Sequence, residues 1–188
     1  MNAAPRAAAT KVVDLATLRR HLDALPPATQ VVLTNGCFDW LHVGHLRTLE
    51  HARSLGDVLV VGVNDDASVR RLKGPGRPVV PARQRALLVA ALECVDWVVV
   101  FGEDTAAGLV RAVRPQWYVK GGDYRLETLP EAEPARQVGA RVVLVPPEPG
   151  LSTTGLLARA LAQGAAGEGR GRASPHPVPQ ADGSPQEA

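Results

Sequence analysis

A disulfide framework is excluded, because the 188-residue chain holds only two cysteines, Cys37 and Cys94. Free thiols fit a reducing compartment, which makes the cytoplasm the expected location. Aromatic residues are scarce at 4%, and charge is nearly balanced, with 21 Lys+Arg against 19 Asp+Glu. A nucleic-acid surface calls for a basic stripe interleaved with aromatics, so no nucleic-acid partner is expected. No apolar run approaches the roughly 20 residues that a membrane span needs. The opening "MNAAPRAAATKVVDLATLRR" also lacks the apolar core of a signal peptide, so no membrane partner is expected either. Hydrophobic residues make up 45%, enough for one sizeable core.

Short apolar runs alternate with amphipathic stretches along most of the chain. "QVVLTN", "DVLVVGVN", "VDWVVVF", "QWYVK" and "VVLVP" read as five strands buried on both faces. Helices are expected from about Val12 to Leu25, then over "HLRTLEHARSLG", "DDASVRRL", "PARQRALLVAALE", "EDTAAGLVRAV" and "STTGLLARALA". Asp65 and Asp66 are N-cap candidates, Pro81 suits a first helical turn, and "KGPGRPVV" can only be a loop. The expected fold is α/β, a Rossmann-like three-layer sandwich around a mostly parallel five-stranded sheet. Residues 1–10 read as a loose arm and 11–163 as the folded domain. Residues 164–188 read as a disordered Gly/Pro/Ala-rich tail that cannot repay its ordering entropy.

The stretch "TNGCFDWLHVGH" follows the first strand and carries His42 and His45 around Gly44. In open α/β sheets, ligands bind at the carboxyl ends of the strands. A helix starting near Val43 would aim unpaired amides and its dipole at an anion there. Both histidines could donate to that same anion. Two histidines fall short of the three or four ligands of a zinc site, even with Asp39 as a third. The context favours phosphate over a packed core pair or a metal.

"GCFDWLHVGH" matches the HxGH signature of the nucleotidylyltransferase superfamily. With "LGDVLVVGVNDDASVRRLKGPGRPV", "VDWVVVFGEDT", "VKGGDY" and "PGLSTT" in the same order, residues 11–162 resemble the D-glycero-β-D-manno-heptose 1-phosphate adenylyltransferases. In that family the adenylyltransferase is often fused behind a sugar kinase. This chain is too short to hold one, so the resemblance is to the free-standing form, with a separate sugar kinase acting upstream.

The resemblance implies AMP transfer from ATP, carried with Mg2+, to a heptose 1-phosphate. The attacking phosphate is already ionised at pH 7, so no general base is needed. The chemistry reduces to positioning two anions and stabilising developing charge. His42 and His45 are the implied catalytic pair. Cys37, Phe38, Gly44, Gly121, Gly122, Asp123, Ser152 and Thr153 are the implied nucleotide contacts. Lys73, Arg77 and Arg85 are the expected phosphate cations, with Lys73 and Arg77 in the Gly/Pro loop. Asp123 could fix Lys120 or the nucleotide, and Asp39 could orient a histidine or hold Mg2+. Pro147 stands where the cytidylyltransferase branch has an arginine, as the heptose branch tends to show, and Trp40 replaces a smaller aliphatic residue. A homo-oligomer is expected. The rival readings are a cytidylyltransferase acting on glycerol 3-phosphate or a related alcohol phosphate, and a non-catalytic nucleotide-binding protein.

Overall fold

The computed structural model describes residues 6–147 and 153–167. Its five strands are β1 (Val31–Gly36), β2 (Val58–Asn64), β3 (Trp97–Phe101), β4 (Trp117–Gly121) and β5 (Arg141–Val145). They form one parallel sheet in the order β3-β2-β1-β4-β5. The continuous apolar runs are explained by burial on both faces. One face packs Leu33, Val60, Tyr118, Leu109 and Val110; the other packs Val32, Val61, Leu49, Val89 and Val119.

The helices are α1 (Ala8–Lys11), α2 (Leu15–Asp23), α3 (Val43–Ser54), α4 (Asp66–Lys73), α5 (Ala82–Ala90), α6 (Ala107–Val113), α7 (Ala132–Val138) and α8 (Thr153–Gly167). Asp14 and Asp65 cap α2 and α4, accepting from the amides of Thr17 and Ser68. Pro81 is the N-cap of α5 rather than a residue of its first turn.

Four boundaries differ from the sequence reading. The expected loose arm gives way at Ala8, where α1 begins, and the buried ammonium of Lys11 donates to the carbonyls of Leu92 and Val95. Val12 and Val13 join β3 by a bridge before α2 starts, because Asp14 is the cap. α7 was not anticipated. Its Pro134 is the third helical residue, where the missing N–H has no intrahelical partner to lose. α8 continues to Gly167, past the expected boundary at 163; residues 168–188 of the expected tail lie outside the described residues.

β1 has β2 on one side and β4 on the other. The chain therefore leaves β1 in one direction and later returns on its other side. The carboxyl ends of β1 and β4 flank the switch point, where open sheets bind ligands. Among the described residues, no helix is long and apolar enough to cross a membrane.

Candidate active site

The turn after β1 is built around Phe38, a non-glycine residue in the left-handed region (φ 47°). Its ring folds back on the strand end, where a Cβ on Gly36 would lie 3.2 Å from it. The ring then supports His45 at 5.2 Å between centroids. His42 is the N-cap of α3 but makes no side-chain capping bond, so the side chain leaves the helix's first amides to another partner. The His42 and His45 rings stack, with centroids 3.9 Å apart and planes 24° from parallel. Nδ1 of each ring is buried without a hydrogen-bond partner among the described residues.

Burial lowers the pKa of both rings, and in His45 the neighbouring His42 adds to it, bringing His45 to about 4. Both are therefore neutral at pH 7. In that state each can serve as a hydrogen-bond donor to a phosphate. Among the described residues, no group of three or more His, Cys, Asp or Glu could hold a metal ion, so the pair finds no further ligands there.

Asp39 is 1% exposed, and its carboxylate accepts three hydrogen bonds. One oxygen accepts from the amides of Val79 and Val80 at 2.7 and 2.9 Å, and the other from Arg77 Nε at 2.5 Å. Asp39, expected to orient a histidine or hold Mg2+, here straps the 74–80 loop to the turn after β1. Arg77, expected on phosphate, is the other half of that strap.

Arg85, also expected on phosphate, is 0% exposed. Nε donates to Val80 O and Nη2 to Asp66 Oδ1, both at 2.8 Å, and Nη1 donates to Cys37 O. Its guanidinium ties the turn after β1 to α4 and to the loop before α5, using one N–H of each nitrogen on protein groups. Lys73 ends α4 instead of lying in the loop, and its side chain is exposed. Its charge reaches Cys37, whose thiol is nonetheless pushed up by burial.

At the end of β4, the surroundings of the two glycines differ from the expected open backbone. A Cβ on Gly121 would lie 2.7 Å from Thr48 Cγ2, so Gly121 admits α3, and a Cβ on Gly122 would lie 2.9 Å from the Tyr124 ring. Asp123 is exposed, and Asn35, not Asp123, hydrogen-bonds Lys120. Gly44 is the second residue of α3, between the histidines, and Thr153 opens α8; Ser152 lies outside the described residues.

A buried polar group went unread in the sequence. Tyr118 Oη and Lys120 Nζ both donate to Asn35 Oδ1, at 2.6 and 3.1 Å, beside the buried Glu131. Polar residues inside the otherwise apolar "VVLTN" and "WYVK" were the available signal.

Residues 33–157 match the family described as cytidylyltransferase-like. The chain is 53% identical to bifunctional protein HldE of Syntrophotalea carbinolica over 131 residues, which covers 70% of this chain and 27% of that protein. It is 49% identical to bifunctional protein HldE of Halorhodospira halophila over 162 residues, 84% of this chain and 33% of that one. The chain thus spans about a third or less of the length of these curated relatives. Among solved structures, it resembles the lipopolysaccharide core biosynthesis protein of Thermoplasma volcanium. That match has a TM-score of 0.53 and 29% identity, and covers 64% of this chain and 98% of that one.

Proposed function

The chain belongs to the cytidylyltransferase-like family, whose chemistry is nucleotidyl transfer, and on that premise we propose that it transfers AMP from ATP to a heptose 1-phosphate. An oxygen of the sugar phosphate attacks the α-phosphorus, the bond to the β-phosphate oxygen breaks, and ADP-heptose and pyrophosphate result. The observation that carries this reading is the stacked, neutral His42–His45 pair at the uncapped start of α3, beside the β1/β4 switch point. Two ring donors and the α3 amides converge where negative charge must accumulate, and preorganised donors of this kind lower a barrier by stabilising it.

The motif resemblance to heptose 1-phosphate adenylyltransferases supports a heptose phosphate as the acceptor and ATP as the donor. Mg2+ would arrive on the triphosphate, held by phosphate oxygens and water. Cys37 and Phe38 would place their backbone near the phosphates, and Ser152 and Thr153 would receive the departing pyrophosphate at the start of α8. The test is a turnover panel of ATP and CTP against heptose 1-phosphate, other sugar 1-phosphates and glycerol 3-phosphate, read by pyrophosphate release. ATP with heptose 1-phosphate should be the best pair. Equal or better turnover of CTP with glycerol 3-phosphate would replace this reading by the cytidylyltransferase one, and no turnover of any pair would favour a binding protein.

A further inference from the structure

The crevice must draw two polyanions together, yet the cations expected for that task are largely tied elsewhere. Arg77 is held by Asp39, Arg85 by two carbonyls and Asp66, the histidines are neutral, and Lys73 is exposed at the end of α4. Lys120 is different. It sits one residue from the end of β4, at the switch point, and is 8% exposed. An ammonium has three N–H donors, and among the described residues it makes one hydrogen bond, at 3.1 Å, to an Asn35 oxygen that already accepts from Tyr118, with Glu131 as its ion-pair partner.

The nearest carboxylate oxygen, Glu131 Oε1, is 3.8 Å away and accepts instead from the amide of Ala106 at 2.8 Å. The other Glu131 oxygen is buried without a partner among the described residues. At 3.8 Å the ion pair only partly offsets the desolvation of two charges. Burial lowers the Lys120 pKa, which is the cost of keeping the charge there. The ring of Tyr124 lies 5.1 Å from the ammonium and adds a partial counterweight.

We propose that Lys120 is a phosphate-contacting residue, the cation at the floor of the crevice that binds the substrate phosphates with the donors left over by Asn35. The inference rests on the nucleotidyl-transfer reading, but not on which base or sugar is used. It assigns to β4 a share of the charge that Lys73, Arg77 and Arg85 were expected to supply.

Calorimetric titration of inorganic tripolyphosphate into the full chain tests it, with no nucleotide or sugar present. Lys120→Met should weaken binding about tenfold or more, the loss of one charge-assisted contact, while Lys120→Arg keeps most of the affinity. Lys120→Gln, which retains a donor for Asn35, takes the place of the Met variant if that one melts below the assay temperature. Affinity within about twofold of wild type in the folded Met or Gln variant overturns the proposal, and so does a wild type that binds no tripolyphosphate. A wild type that binds the probe but turns over no heptose 1-phosphate refutes the substrate assignment alone, and the Lys120 comparison still stands.

Discussion

Arg85→Met asks whether the buried guanidinium is a strut or a substrate contact. The side chain is 0% exposed and uses all three nitrogens on protein groups. Methionine fills most of the volume but leaves the carbonyls of Val80 and Cys37 without donors. Each buried group left unsatisfied costs about 1–3 kcal/mol. The Asp66 side chain is 38% exposed, so water can replace that partner and little is added. The expected loss is about 3–5 kcal/mol, or on the order of 10 °C in melting temperature for a domain of this size. Thermal and urea unfolding measure it directly. Arg85→Lys should recover only part, because an ammonium cannot span three acceptors in one plane. Turnover below the melting range should fall through distortion of the Cys37 turn, with the Michaelis constants of both substrates affected. An Arg85→Met protein as stable as wild type but unable to bind phosphate would refute the strut account.

Two further results are expected. His45 should titrate near 4, against 6.5 for a free imidazole, so the unfolded chain binds more protons between those values. Stability should be full above about pH 6.5 and fall progressively toward pH 4, a decline that His45→Asn flattens; an NMR titration midpoint at the free-imidazole value would contradict this. Gly121→Ala should cost about 1–3 kcal/mol by pushing on Thr48, and Thr48→Ala in the same protein should restore much of it in a double-mutant cycle. Unchanged stability with weakened ATP binding would instead support Gly121 as a nucleotide contact.

The five strands were legible because a parallel sheet buried on both faces must be written in continuous apolar runs, as "DVLVVGVN" and "VDWVVVF" are. The candidate site's local make-up was legible too, since the turn after the first strand carries glycine, paired histidines and a helix start together. The roles of the charged residues were not. Arg85 lies on a helix whose pattern gives no sign that its partners are carbonyls 5 and 48 positions away. Asp39 reads as a ligand until the amides of Val79 and Val80 are seen on it. Asn35 meets Lys120 only through the pairing of β1 with β4, and Glu131 is brought there by the connection between β4 and α7, contacts that no local pattern encodes.

The account's central claim is that the stacked histidines stabilise charge in phosphate transfer. Its most direct test is turnover and melting temperature measured on the same His42→Ala and His45→Ala proteins, with ATP and heptose 1-phosphate. Each variant should lose about two to four orders of magnitude in kcat, the scale of removing a preorganised donor, while remaining folded at the assay temperature. Near-wild-type turnover in both variants would contradict the claim, and so would loss of activity that merely follows unfolding.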